Sequence, residues 1–347
     1  MTAMNTRQPL ILNTDRGLYC PAGDFYIDAW RPVPRTIITH AHSDHARKGS
    51  TQYLTADDGV NILRGRIGED AAIQGVKYGD AIDLNGVRVS LHPAGHVLGS
   101  AQVRVEHKDD VWVITGDYKR QTDRTCRSFE VVRCNTLITE CTFGLPIFRW
   151  REPAEVAKDI NDWWRDNIEH GRTSMLLAYA LGKAQRVLSH LDPSIGPILL
   201  HGAVQRIVNT YRDCGIDLPL TQAASSENAK ANRGRAIVIC PPAAVEGTWA
   251  RKFTPISIAV ASGWMTIRGF RRRHNADRGF VLSDHADWPG LLQTIDETRA
   301  EYVIATHGYT QQFSRYLNER GTRASVYQTR FTDSDESEAK PAEETEE

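Results

Sequence analysis

Thr39-His40-Ala41-His42-Ser43-Asp44-His45 places four potential metal ligands within six residues, directly after the β-branched run Thr36-Ile37-Ile38. Such a run reads as a strand. A strand entering a loop can turn closely spaced side chains toward one point. Imidazole nitrogen and carboxylate oxygen suit zinc, and manganese less exclusively. Further candidates follow: His96 in Ala94-Gly95-His96, Asp117 in Thr115-Gly116-Asp117, and His307 in Ala305-Thr306-His307-Gly308. Each sits at an expected strand-to-loop junction beside glycine, where backbone can come close to an ion. Together His40, His42, Asp44, His45, His96, Asp117 and His307 are enough for two divalent ions sharing one carboxylate.

The surroundings read as α/β. In the first third, strand-like runs such as Val111-Trp112-Val113-Ile114 end in polar clusters, and Val87 to His92 alternates at period two, as a half-buried strand does. From about residue 153 the texture changes. Ala154 to His170 carries an apolar stripe of Val156, Ile160, Trp163, Trp164 and Ile168, which predicts a helix. Strand-like Met175–Ala178, Ile198–Leu200, Ala236–Cys240 and Ile256–Ala261 then alternate with helical segments (Lys183–Leu191, Val204–Tyr211), implying parallel strands with crossover helices. Two further units, Phe280–Leu282 into a helix near Pro289–Arg299 and Tyr302–Thr306 into Gln311–Arg320, close the ordered part. No internal repeat is present. His92 and His201 read as structural or surface histidines.

The chain has 42 Lys+Arg against 43 Asp+Glu, a balance that disfavours a nucleic-acid binder at first sight. Its distribution changes that. The last fifteen residues, Asp333 to Glu347, hold eight acids and one lysine with no aromatic or branched apolar residue, so they predict a disordered tail. Without them 41 basic residues face 35 acidic ones. The six cysteines form no CxxC spacing, which predicts free thiols. No apolar run of transmembrane length and no secretory signal are seen, so the expected location is the cytoplasm.

The motif set resembles the metallo-β-lactamase superfamily. The 190 residues between Asp117 and His307 leave room for a large insertion, which resembles the β-CASP nuclease group. Leu137–Gly144 with Glu140, Leu282–Asp287 with His285, and Val303–Gly308 with His307 resemble that group's motifs A, B and C, and Tyr26-Ile27-Asp28 its first motif. The segments GLYCPAGDFYIDAWRPV and SDHADW are most similar to bacterial ligase-associated DNA exonucleases. The presence of His307 also resembles RNase J and the mRNA 3′-end processing nuclease. The resemblance implies an αββα metallo-β-lactamase sandwich, with residues 1–150 its first part, 151–275 an inserted β-CASP α/β domain of mostly parallel strands, 276–331 the return part and 332–347 the tail. It implies two divalent metal ions, with His40, His42 and His96 holding one, Asp44, His45 and His307 the other, and Asp117 bridging. His285 would assist the leaving oxygen, and Glu140 and Asp28 would hydrogen-bond ligand imidazoles. The implied partner is DNA, RNA remaining open, with a DNA ligase and a helicase as associates and a nucleoid-associated place in the cytoplasm.

Five arginines fall between Arg268 and Arg278, beside motif B. Guanidinium forks pair well with phosphate, which makes Arg268, Arg271, Arg272 and Arg273 candidate substrate contacts. Lys183 and Ser262, each at a strand-to-helix junction, are candidates for the same role. A small-molecule hydrolase is opposed by the long insertion and the arginines, and a scaffold with a decayed site by the full ligand set.

Overall fold

The computed structural model describes residues 9–273 and 275–328, apart from the side chains of Arg271 and Arg273. The acidic tail, with the rest of 329–347, lies outside the described residues. Three sheets organise the chain. The first runs Leu12–Thr14, Gly17–Cys20, Phe25–Ile27, Arg35–Ile37, Gln52–Ala56, Ile73–Val76 in spatial order. The second runs Arg323–Val326, Tyr302–Gly308, Thr136–Cys141, Asp110–Ile114, Ala101–His107, Val87–Pro93, Ala81–Leu84.

These two sheets pack face to face because alternate residues are apolar on both sides. Ile27, Ile37 and Leu54 from the first meet Val89, Val103, Ile114, Ile138 and Ile304 from the second. The intervening residues Val113, Leu137 and Val303 point the other way, onto Leu291 and Ile295 of helix Trp288–Thr298 and Phe313 and Leu317 of helix Thr310–Glu319. On the far side of the first sheet, Ile38 and Tyr53 join Ile62, Leu63 and Ile67 of helix Val60–Ile67. The expected αββα sandwich is therefore present.

The third sheet is wholly parallel, in the order Gln222–Ala223, Ile198–Leu200, Ile237–Cys240, Thr173–Leu177, Ile256–Ala261, Arg278–Phe280. Its inner strands are largely apolar on both faces, as a sheet covered by helices requires. Leu176, Ile237 and Ile239 face helices Pro153–Glu169 and Gly202–Asp213, while Met175, Leu177, Val238 and Cys240 face Ala229 and Phe253. Val156, Ile160, Trp163 and Trp164 form the helix's buried stripe, as the periodicity predicts. One apolar cluster runs unbroken from helix Val60–Ile67 into this third layer. The third layer thus shares a continuous core with the helix that covers the first sheet. Among the described residues no helix is long and apolar enough to cross a membrane, and none of the six cysteines forms a disulfide.

Candidate metal centre

Strand ends converge on one place. Phe25–Ile27 delivers Asp28, Arg35–Ile37 delivers residues 39–45, Val87–Pro93 leads to His96, and Asp110–Ile114 to Asp117. Glu140 lies near the end of Thr136–Cys141 and His307 near the end of Tyr302–Gly308. Backbone geometry is set for this. Gly116 adopts φ +54, and a Cβ there would stand 2.6 Å from Thr39 Cβ, so only glycine lets the two strand ends close together. Asp28 and His307 also take positive φ (46° and 51°), a conformation tolerated by few side chains outside Asn, Asp and His.

Donor atoms of His40, His42, His96 and Asp117 all lie within 4.8 Å of one another, as do those of Asp44, His45 and Asp117. Asp117 belongs to both groups, and to a third with Glu140 and His285. His40 Nε2, His45 Nε2 and His96 Nε2 stand 3.4, 3.5 and 3.8 Å from Asp117 Oδ2. His307 stacks on His45 with ring centroids 5.2 Å apart, beside the second group and outside its 4.8 Å radius.

The acceptors on the far side of each ring settle where the protons are. His96 Nδ1 donates to the Asp284 carbonyl (2.7 Å), and His42 Nε2 donates to the Leu181 carbonyl (3.3 Å). Thr39 Oγ1 donates to Asp28 Oδ2 (2.6 Å) and accepts from His40 Nδ1 (3.1 Å). His40 Nε2, His42 Nδ1 and His96 Nε2 are then left as lone pairs. Yet His42 Nδ1 lies 3.0 Å from His40 Nε2 and 3.1 Å from His96 Nε2. Three lone pairs at that spacing call for a cation between them. Bonds of about 2.05 Å at tetrahedral angles would set zinc-bound nitrogens about 3.3 Å apart, close to this spacing.

Electrostatics agree. Burial, then His40, pushes the His42 imidazole down to about 4. Burial and the neighbouring imidazoles lower His96 well below its ordinary value, and burial and His45 lower His307. Burial disfavours charge on Asp117, but His45 and His285 outweigh it and hold the carboxyl well below the usual range. Burial also opposes charge on His45, yet Asp117, Asp44 and Asp28 raise it well above the ordinary value. The carboxylates thus favour positive charge at this place, as they would a metal ion, and His45 Nε2 is itself buried without a hydrogen-bond partner. The residues fit a divalent metal pair.

Around the cluster, Asp28 accepts from Thr39 N (2.8 Å), Thr39 Oγ1 and His45 Nδ1 (2.7 Å). Glu140 differs from its expected place. It holds no imidazole of the cluster but accepts from Tyr118 N (2.8 Å) and His285 Nδ1 (2.9 Å), because its strand position faces the motif B loop. His285 lies 4.8 Å ring to ring from His96.

Substrate candidates divide. Lys183 is only 5% exposed and pairs with Asp284 Oδ2 at 3.0 Å, so its charge is already answered inside the protein. The Gly182 amide donates to Gln185 Oε1 (2.7 Å), within that helix's own first turn. Ser262 Oγ accepts from Trp264 N (3.3 Å), capping its own turn. Arg268 and Arg272 are exposed on helix Arg268–Arg273, whereas the side chains of Arg271 and Arg273 lie outside the described set. That helix is tied to motif B by aromatic contacts: Phe270 stacks on Trp264 (5.2 Å), Trp264 meets Phe143 (4.8 Å), and Phe143 meets His285 (6.0 Å). His92 pairs with Glu130 and His201 caps helix Gly202–Asp213, both structural roles. Sequence reasoning missed Thr39, Asp284 and Arg186. The Asp in Ser283-Asp284-His285 was the available signal.

Comparison with known proteins follows the same lines. No family model matches the chain. It is 30% identical over 318 residues to a probable DNA ligase of Opitutus terrae, covering 91% of this chain and 31% of that protein. It is 32% identical over 145 residues to the endoribonuclease YSH1 of Saccharomyces cerevisiae, 41% of this chain and 18% of that one. With cleavage and polyadenylation specificity factor 73 of Drosophila melanogaster the identity is 34% over 122 residues, 35% and 18% of the two chains. The chain therefore spans less than a third of the length of each of these relatives. A crystal structure of a protein of unknown function from Enterococcus faecalis shares the fold with a TM-score of 0.58 at 12% identity, over 85% of this chain and 79% of that one.

Proposed function

Because the chain belongs to the β-CASP group of the metallo-β-lactamase superfamily, we propose that it is a metal-dependent nuclease hydrolysing phosphodiester bonds in DNA, as an exonuclease in DNA repair. The observation that carries this is the pair of largely buried donor groups sharing Asp117 at the converging strand ends. His40, His42, His96 and Asp117 would hold one ion, and Asp117, Asp44, His45 and His307 the other, with zinc favoured by the imidazole-rich donors and manganese the alternative. Two such ions would supply an activated water and neutralise charge on the scissile phosphate.

The chain's own groups do the rest. Asp28 orients His45, and the Thr39 hydroxyl orients His40. Glu140 accepts from His285 Nδ1, fixing that ring so that its other nitrogen can give a proton to the leaving oxygen. Assistance of that kind is worth roughly 10²–10⁴-fold. Arg268 and Arg272, with Arg271 and Arg273, would meet the phosphate backbone. DNA is favoured because the alignment with the probable DNA ligase spans most of this chain. A DNA ligase and a helicase in the cytoplasm are the proposed associates. The second reading, an RNA-processing nuclease, is favoured by the endoribonuclease relatives.

The test is cleavage of 5′- and 3′-labelled single- and double-stranded DNA, and matched RNA, by metal-defined protein. Shortening of DNA under zinc or manganese is expected. No cleavage of either polymer with either ion would refute the nuclease reading, and cleavage confined to RNA would replace the first reading with the second.

A further inference from the structure

A second group of charges lies directly behind the metal centre, and almost all of it is buried. Lys119, Asp123, Lys183, Arg186 and Asp284 are each at most 6% exposed. Lys119 Nζ pairs with Asp123 Oδ2 and reaches Asp284 Oδ1 at 4.0 Å. Lys183 Nζ lies 3.0 Å from Asp284 Oδ2, and Arg186 Nη1 lies 3.4 Å from Asp284 Oδ1. Arg186 also donates to the Ser283 carbonyl through Nη1 and to Gln121 Oε1 through Nη2 (2.9 Å).

The two ends of this network belong to different parts of the fold. Lys183 and Arg186 sit on helix Lys183–Leu188, which follows the central strand of the third sheet. Lys119 and Asp123 follow Asp117 out of the second sheet. Asp284 lies between them, and its backbone carbonyl receives the proton of His96 Nδ1 at 2.7 Å. Whatever fixes Asp284 therefore fixes the tautomer and direction of a candidate metal ligand. Burying five charges is costly unless they are paired, so a network kept at this place calls for a role beyond holding two layers together, which the continuous apolar cluster already does.

Resting on the metal reading above, we infer that Arg186 and Lys183 are positioning residues: through Asp284 they make the geometry of His96, and hence metal affinity, depend on the seating of the inserted third-sheet layer. Lys183 acts here from inside the protein rather than on phosphate. Because such coupling is reciprocal, metal binding should in turn tighten the contact between that layer and the sandwich.

The experiment uses the full chain without nucleic acid. Zinc affinity is measured by chelator competition, and the visible spectrum is recorded after cobalt substitution, for wild type, Lys183→Met, Arg186→Gln and Arg186→Lys. Loss of partners that orient metal ligands typically weakens affinity 10–100-fold. Arg186→Gln should fall in that range with an altered cobalt spectrum, Lys183→Met should fall less, and Arg186→Lys should recover part of the loss. Leu291→Ala, in the core of helix Trp288–Thr298, serves as a control that lowers stability and should keep wild-type affinity. Wild-type zinc affinity and an unchanged spectrum in Lys183→Met and Arg186→Gln would overturn the inference while leaving the metal reading intact. If Arg186→Gln does not fold, Lys183→Met alone decides. Wild-type protein that takes up no divalent ion would sink the metal reading and this inference with it.

Discussion

Replacing Asp28 by asparagine separates hydrogen-bond chemistry from backbone strain. Asp28 sits at φ 46°, where asparagine is at least as comfortable as aspartate. The perturbation therefore falls on the carboxylate. Three donors converge on it: Thr39 N on Oδ1, and Thr39 Oγ1 and His45 Nδ1 on Oδ2. An amide offers one oxygen. If that oxygen replaces Oδ2, the amide NH₂ confronts the Thr39 N–H, donor against donor. If it replaces Oδ1, the NH₂ confronts His45 Nδ1, which must then become an acceptor. In the neutral ring that a metal ion requires, the proton would then sit on Nε2, the atom 3.5 Å from both Asp44 Oδ2 and Asp117 Oδ2. Either arrangement loses a hydrogen bond to a charged group, worth about 1.5–3 kcal/mol, and the second also puts a proton where a metal ion would bind. We expect Asp28→Asn to lower stability by about that amount and to weaken affinity for the second ion by about 10–100-fold. Chelator competition and thermal unfolding of apo and metal-loaded protein read the two effects. Wild-type affinity for both ions, with an unchanged midpoint, would refute the account of how His45 is held.

Gly116→Ala should destabilise by about 2–5 kcal/mol, combining about 1–2 for the left-handed backbone with 1–3 for overpacking against Thr39, and should also reduce metal uptake; a native melting curve would show that the strand ends can part freely. His285→Ala should retain its metals and lose about 10²–10⁴-fold in kcat; wild-type turnover would remove the acid role. Trp164→Ala, at a fully buried side chain whose Nε1 donates to the Arg235 carbonyl, should cost about 3–5 kcal/mol in denaturant unfolding. Burial pushes the thiols of Cys126, Cys134 and Cys240 up to about 12. Unfolded thiols ionise near 8.5, so this contribution is complete below that pH and is lost as pH rises toward about 12. Unfolding midpoints measured from pH 8 to 11 should fall, less steeply in Cys240→Ala.

The candidate donor cluster stands out in sequence for a chemical reason. Coordination demands particular side chains, and the fold places them at strand ends, so His40 to His45 announce themselves locally. The third sheet was legible too, since strands such as Met175–Leu177 and Val238–Cys240 are apolar on both faces. What sequence could not show was pairing across the fold. Glu140 and His285 are 145 residues apart, and only the packing of the second sheet against the motif B loop reveals that one orients the other. Lys183 was misread for the same cause. At a strand-to-helix junction a lysine suits a phosphate, and nothing local says that Asp284, a hundred residues on, already occupies it.

That misreading bears on how substrate charge is met. With Lys183 turned inward and Ser262 capping its own turn, the polar contacts expected from the third sheet's strand ends are spent within the protein. Arg268 and Arg272 are exposed on a short helix joined to His285 through Phe270, Trp264 and Phe143, and they become the substrate contacts to test. Arginines on such a helix act in proportion to the phosphates they neutralise. Each contact removed should lower the slope of log affinity against log salt by about 0.7–0.9. Replacing Arg268 and Arg272 together should therefore flatten the slope by about 1.5 while leaving metal content unchanged. An unaltered slope would place the nucleic acid elsewhere on the molecule.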